Sequence, residues 1–405
     1  MEKLWSSQQK IIPPILDRQM ICGFCSLLCD DCIALDECPL RRDCLQKLSV
    51  IQPTDDVSLE DIEELKKRVQ SARSILMTGA ITSVESARAA VAFGRNQNAF
   101  LDFSPYGSVM DAIGALSSSG GYTTTLAEAR EIAGSYLVVG NDGLNQAFPR
   151  LMHSLSQSET STDARAVILM GEFSEHALRV WTATFPNTWL VPCDLEKIPQ
   201  ALSQWSTLVR PTNAGHAESI FDALRSDYLT VVWSPGNLHS LHRDLWIEQL
   251  NQWILGNNET RRVVGLPLVS QDAVFAHACT WLTAFPGRIQ FEEKQARYLP
   301  TDDYRLWLDR YQEDEQALVI TIHESWSDPD PRLVRGLESF RGTWVNMDRS
   351  SQPSNRFHLP ISIAGYHRTA NLIRADQVVM ARLDAIQSPK RGFRTPREWL
   401  EALSG

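Results

Sequence analysis

The sequence predicts an α/β protein, with Rossmann-like parallel sheets behind a small N-terminal Cys-rich segment. Three observations point there. Short apolar runs that close on glycine or a polar turn recur along the chain, stretches of helical character separate them, and six of the eight cysteines crowd into 23 positions. Strands alternating with helices build parallel sheets from β-α-β units. A chain of 405 residues with 43% hydrophobic content can fill the cores of two or three domains. The expected division is a Cys-rich segment at 1–55, a first α/β domain at 56–210 to which the C-terminal region can return, a second at 211–350, and a C-terminal segment at 351–405.

Taken in order, Ser58 and Asp61 form a capping box, since the serine oxygen can accept an amide proton and the aspartate can reach back. Leu59, Ile62, Val69 and Ala72 follow with helical spacing. ILMTG at 75–79 is an apolar run closing on glycine, as in a buried parallel strand. Ser83 can cap a second helix running through Phe93, and Phe100 to Phe103 forms a short extended run. The same rhythm returns in SYLVVGND (135–142), AVILMGE (166–172), TWLVPCD (188–194), YLTVVWSP (228–235), RRVVGLPL (261–268), ALVITIHE (317–324) and TWVNMD (343–348). A helix is expected in LHRDLWIEQLNQWILG (241–256). The polar stretches 156–165, 209–218 and 348–360 read as loops, the second of them as a crossover between sheets.

The cysteines carry the strongest chemical signal. Cys22, Cys25, Cys29 and Cys32 lie within eleven residues, and Cys38 and Cys44 follow in ICGFCSLLCDDCIALDECPLRRDC. C-x2-C-x3-C can present three sulfurs from one loop, and soft thiolates suit an iron–sulfur cluster or zinc. Structural thiols are the alternative, and disulfides a weaker one, because disulfide frameworks belong to short secreted chains. Cys193 and Cys279 stand alone and are expected in the core.

Net charge is −10. No basic stripe interleaved with aromatics occurs, which argues against nucleic acid as a partner. The N-terminus lacks the apolar core of a signal peptide. No stretch approaches the about 18 apolar residues needed to span a bilayer. A cytoplasmic location and reduced thiols are therefore expected.

In open α/β sheets, ligands bind beyond the carboxyl ends of the strands. Candidate strand ends are Gly79, Gly140-Asn141-Asp142, Gly171-Glu172 and Ser234-Pro235-Gly236-Asn237. They read either as backbone that can approach a phosphate or pterin, or as ordinary strand-to-helix turns. Neither GxGxxG nor a P-loop occurs, nor a G-x-S-x-G elbow. His239 and His242 lie three apart near a helix start, without a third ligand fixed by spacing. His176, His216, His323, His358 and His367 are scattered, with surface or capping roles as the default. Trp233, Trp246, Trp253 and Trp281 stand in or beside apolar segments and are expected in the core or at a subunit interface.

Several blocks in a shared order carry a family resemblance. They are CGFCSLLCDD (22–31), TLAEAREIAGSYLVVGND (125–142) with FPRLMHS (148–154), CTWLTAFPGRIQF (279–291) with ARYLP (296–300), and FHLPISIAG (357–365). In these the chain resembles the B-type subunit of formylmethanofuran dehydrogenase, a relative of the molybdopterin oxidoreductases. It is similar above all to the bacterial paralogue in the formyltransferase/hydrolase complex of one-carbon metabolism. The resemblance implies parallel-sheet domains of the formate dehydrogenase/molybdopterin oxidoreductase type. It implies a cluster loop in which Cys22, Cys25 and Cys29 keep the family spacing, with Cys38 as first choice and Cys44 as second for a fourth thiolate. Cys32 is an extra. A [4Fe–4S] cluster or zinc would satisfy such ligands.

The departures bear on activity. The catalytic family carries a metal-binding Cys in a C-H-G-P-S turn, whereas FLDFSPYGSVMDA (100–112) has Pro105, Tyr106 and Gly107 there and no cysteine. The E-G-T-x-x-R-M-D-G-x-P run is replaced by TANLIRADQVVMARLDA (369–385), and a T-G pair by Thr283-Ala284. Molybdopterin is therefore expected to be absent. The implied role is a non-redox scaffold subunit, with other subunits of the complex and a methanofuran-type carrier as partners. The alternative is a catalytic subunit with a molybdenum or tungsten pterin centre.

Overall fold

The computed structural model describes residues 21–31, 38–50, 57–103, 108–158, 162–207, 216–238, 242–271, 273–326, 328–349, 357–388 and 392–404. Fourteen strands are found among them: β1 (Ser74–Ala80), β2 (Phe100–Asp102), β3 (Ser135–Asn141), β4 (Ala166–Glu172), β5 (Asn187–Pro192), β6 (Tyr228–Trp233), β7 (Arg262–Pro267), β8 (Ile289–Glu292), β9 (Gln295–Tyr298), β10 (Ala317–His323), β11 (Thr343–Asp348), β12 (Phe357–Pro360), β13 (Ala370–Ile373) and β14 (Met380–Leu383). A seven-stranded sheet runs β12-β11-β10-β1-β2-β8-β9, a five-stranded sheet runs β5-β4-β3-β6-β7, and β13 and β14 form a hairpin. Every pairing from β12 to β2 is parallel, as is every pairing in the five-stranded sheet.

The nine expected strand segments all form strands. The helix expected at 241–256 runs Arg243–Asn257. The N-cap forms as expected, with the Asp61 amide donating to Ser58 Oγ at 3.0 Å, but the Asp61 carboxylate accepts from the Ser58 hydroxyl at 2.6 Å in place of the backbone amide that a full capping box uses. Ser83 caps the helix Val84–Gln97.

The expected domain boundaries do not coincide with the sheets. Residue 210 falls between β5 and β6, which belong to one five-stranded sheet. That sheet is inserted into the seven-stranded one, whose strands come from both before and after it. The reason is register: β1 pairs with β10 along all seven of its residues, from Ser74 with Ala317 to Ala80 with His323. Two apolar strands buried on both faces stay together across more than 200 residues of intervening chain, and sequence distance carries no record of that. The β8–β9 hairpin and β13–β14 are further elements that the periodicity does not reveal, since each strand is only four residues long.

Each sheet is covered on both faces, as parallel sheets require. In the seven-stranded sheet, Met77, Leu101, Ile320 and Val345 pack in one core with Val91, Phe275 and Trp399 from covering helices. Leu76, Phe100 and Val319 meet Trp307, Leu333 and Leu337 on the other face. In the five-stranded sheet, Val138, Leu169 and Val232 face Leu144, Trp181 and Phe185. Val139, Met170 and Val231 face Leu202, Trp246 and Ile254. Trp233, Trp246 and Trp253 are buried, while Trp281 is 60% exposed. Cys279 is buried as expected, but Cys193, just past β5, is only half-buried.

Glycine is required where β1 ends. Gly79 has φ of 121°, and a Cβ there would lie 2.2 Å from the Ile322 carbonyl oxygen of β10. No residue type with a side chain tolerates that backbone at that approach, and Gly171 in β4 repeats the arrangement against the Gly140 carbonyl.

Candidate functional site

Three places assemble the residues that the sequence marks for chemistry: the cysteine loop and the two points where strand order reverses. The loop comes first in the chain. Its ends meet where the Cys22 amide donates to the Cys29 carbonyl at 2.7 Å, with Leu28 N–H donating to the Cys25 carbonyl inside. Leu28 takes a left-handed backbone with φ of 52° to make this turn. Three apolar side chains then anchor the loop in three directions. Leu27 is buried in the core of the five-stranded sheet. Phe24 packs with its ring centroid 4.8 Å from that of Trp326, beyond the end of β10. Leu28 lies among Ala364, Leu372 and Leu383 of the C-terminal region.

Polar contacts reinforce the anchoring. Ser26 Oγ donates to the Val269 carbonyl at 2.7 Å, and the Ser26 carbonyl accepts from Ala375 N–H at 2.7 Å. Gln271 donates to the Gly23 carbonyl at 2.9 Å. At the loop's exit, one Asp31 carboxylate oxygen meets Arg150 at 2.9 Å, His153 at 2.6 Å and Gln157 at 2.7 Å. Partial burial pushes the Asp31 carboxyl upward, but the His153 hydrogen bond and the Arg150 guanidinium outweigh it and hold the group below its ordinary value.

Burial raises the Cys25 thiol well above its ordinary range; the neighbouring sulfurs of Cys29, Cys38 and Cys44 add to the effect, and a hydrogen bond at Leu27 opposes it. Burial likewise pushes Cys44 up to about 11. The structure thus brings Cys25, Cys29, Cys38 and Cys44 into one neighbourhood, with Cys22 joined to Cys29 through the backbone. Cys32 lies outside the described residues. Among the described residues, no three His, Cys, Asp or Glu side chains come together closely enough to hold one ion. His239 also lies outside the described residues, and His242 precedes the helix Arg243–Asn257 without a side-chain cap bond.

In the seven-stranded sheet, strand order reverses between β1 and β10, because the chain leaves β1 toward β2 and leaves β10 toward β11. A crevice at such a point, next to a helix N-terminus, is where an anionic ligand is received. Here it is filled from within. Glu324, one residue past β10, accepts from the amides of Thr82 (3.0 Å) and Ser83 (3.1 Å) and from the hydroxyls of Ser83 (3.1 Å) and Ser86 (2.7 Å). Its side chain is fully buried and ion-paired with Arg368, whose own side chain is 11% exposed. Arg368 also donates to Ser83 Oγ at 2.8 Å and Ser86 Oγ at 3.1 Å. In the same first turn, Glu85 accepts from the backbone and side-chain nitrogens of Asn371. The amides of Thr82 and Ser83, at the entrance to the helix Val84–Gln97, are thus engaged by the protein's own carboxylate. Sequence reasoning missed Glu324 and Arg368. The only available signal was a glutamate directly after an apolar strand, in ALVITIHE.

In the five-stranded sheet the reversal lies between β3 and β6. Asn141 Nδ2 donates to the Asn237 carbonyl at 3.1 Å, and Asn141 Oδ1 accepts from Gly143 N–H at 2.9 Å. Asp142 accepts from Ser174 N–H at 3.0 Å. These are the contacts of strand-to-helix turns. Among the described residues, the buried Nδ2 of Asn237 finds no hydrogen-bond partner. The turn at Pro105, Tyr106 and Gly107 lies outside the described residues.

No protein-family model matches the sequence, and no curated protein matches it. A solved structure does match in fold. It is a chain of the X-ray crystal structure of the formyltransferase/hydrolase complex (FhcABCD) from Methylorubrum extorquens in complex with methylofuran. The TM-score is 0.69 over 88% of this chain and 98% of that one. The two chains share one fold. Sequence identity is 19%, so the likeness concerns architecture, and it agrees with the parallel-sheet domains expected from the resemblance. No helix among the described residues is long and apolar enough to cross a membrane.

Proposed function

We propose that this chain is a non-redox scaffold subunit of a formyltransferase/hydrolase-type complex in one-carbon metabolism, working in the cytoplasm. In this reading, partner subunits move a formyl group from tetrahydromethanopterin to a methanofuran-type carrier and release formate. The chain holds those partners in place and carries out no electron transfer. The observation that carries the non-redox part is the closed crevice between β1 and β10. Glu324 and Arg368 occupy the place where a parallel-sheet protein receives an anionic cofactor. The shared fold with a chain of the FhcABCD complex supports the assembly part.

The N-terminal segment fits a scaffold in another way. Phe24, Leu27 and Leu28 each bury a side chain in a different cluster, so one short loop ties together the five-stranded sheet, the Trp326 segment beyond β10 and the C-terminal region. Its thiols have a structural place in that loop, whether or not metal closes it.

Affinity purification of the tagged chain from its native host tests the reading. Formyltransferase and hydrolase activities should copurify with it in a complex of several subunits, and the chain expressed alone should have neither. A chain that purifies alone, or alone catalyses formate-forming redox chemistry, would overturn it.

A further inference from the structure

At the opposite end of the seven-stranded sheet from the Glu324 crevice, a cavity of about 390 Å³ opens where β1, β2 and the β8–β9 hairpin meet the helix Tyr304–Tyr311. That size suits a small molecule. Its apolar side is supplied by Phe100, Trp307 and Tyr311, and its charged side by Arg73, Arg297 and Arg310. Phe100 and Trp307 are buried. The Trp307 and Tyr311 ring centroids are 4.7 Å apart, inclined by 42°.

The charges do not balance. Arg297 pairs with Glu292 at 3.4 Å and Arg310 with Asp302 at 3.8 Å. Both arginines are more than half exposed, so these pairs contribute little net energy and can yield to a better anion. Arg73 has no carboxylate partner among the described residues. Three guanidinium groups against two carboxylates leave one positive charge uncompensated at the mouth.

The walls are rigid. Arg73 N–H is fixed to the Gln316 carbonyl at 3.1 Å, and Leu299 N–H to the Arg288 carbonyl at 2.8 Å. Gln290 donates to the Asn98 carbonyl at 2.7 Å, joining the hairpin to the loop before β2. A cavity built on strand ends and one helix is already formed before a ligand arrives.

We propose that this cavity binds a small carboxylate attached to a flat aromatic ring, with the ring against Phe100 and Trp307 and the carboxylate at Arg73. Guanidinium recognises carboxylate through paired N–H donors, and aromatic side chains supply the apolar contact that a free inorganic anion cannot use. The site lies away from both strand-reversal points. It is independent of the scaffold reading.

Ligand-observed NMR titration of the full chain with benzoate, benzamide and inorganic phosphate tests the proposal. Benzoate should bind at millimolar or lower concentration, with benzamide and phosphate each weaker by about tenfold or more. Arg73→Ala should weaken benzoate by about five- to tenfold with the melting temperature unchanged, and Arg73→Lys should fall between, since lysine keeps the charge and loses the fork. Arg73 is exposed, so neither variant threatens the fold. Equal binding of benzamide and benzoate, binding of phosphate alone, unaltered benzoate binding by Arg73→Ala, or no benzoate binding at all would each overturn the assignment.

Discussion

Replacing Glu324 by glutamine keeps the volume of the side chain and removes its charge. The carboxylate is fully buried and the Arg368 side chain is 11% exposed, so the variant leaves a guanidinium in a place with almost no water. Removing one partner of a buried ion pair costs about 3–5 kcal/mol, most of it the penalty of the stranded charge. Two backbone amides and two hydroxyls also converge on the carboxylate, and an amide group at that position would turn at least one N–H against them. The loss should therefore reach about 3–5 kcal/mol. The double variant Glu324→Gln with Arg368→Gln removes both charges, and its cost should fall short of the sum of the single variants by about 1–3 kcal/mol. A chain with two sheets need not unfold in one step. The assay is urea titration read by hydrogen exchange in the helix Val84–Gln97, whose first turn the pair holds. A loss below about 1 kcal/mol in Glu324→Gln, together with additive effects, would mean that the carboxylate is hydrated and the crevice open. The argument for a closed cofactor site would then fail.

Three further outcomes follow from the N-terminal loop. Leu27→Ala should destabilise the chain by about 2–5 kcal/mol, as for other buried leucines, and should release the 22–31 segment to hydrogen exchange before the sheets open. Asp31→Asn should matter at neutral pH and progressively less on acidification. The Asp31 carboxyl is held below its ordinary value when folded, so its contribution is present above the unfolded value and is lost as pH falls through the folded one, below about pH 4. Acid-unfolding curves of wild type and Asp31→Asn should therefore converge at low pH, and a constant gap would refute the assignment. Cys22→Ser combined with Cys25→Ser should weaken assembly and N-terminal protection from exchange, with no change in any redox activity. Intact assembly and intact protection would leave the cysteine cluster without a structural role.

The strands were legible because most of the long ones, among them β1, β3, β4, β6 and β10, are apolar runs of six or seven residues buried on both faces and bounded by glycine or a polar turn. What joined them was not. The pairing of β1 with β10 depends on packing across an inserted sheet, and no local pattern encodes it. The cysteine loop was legible as a cluster, and the structure places Cys25, Cys29, Cys38 and Cys44 near one another. Its mechanical role was hidden, because it rests on the ordinary residues Phe24, Leu27 and Leu28. The strand-end glycines were legible as turns, and Gly79 shows why one of them must be glycine. Glu324 and Arg368 are 44 residues apart and belong to no motif; only their convergence on Ser83 and Ser86 gives them meaning.

The most direct test of the central claim is a joint assay of molybdenum, tungsten and extractable pterin on the complex purified anaerobically through this chain. A scaffold with a closed crevice predicts none of the three in proportion to the chain. Stoichiometric molybdenum or tungsten with pterin, retained in the chain after its partners are removed, would contradict the account and make this subunit a redox enzyme.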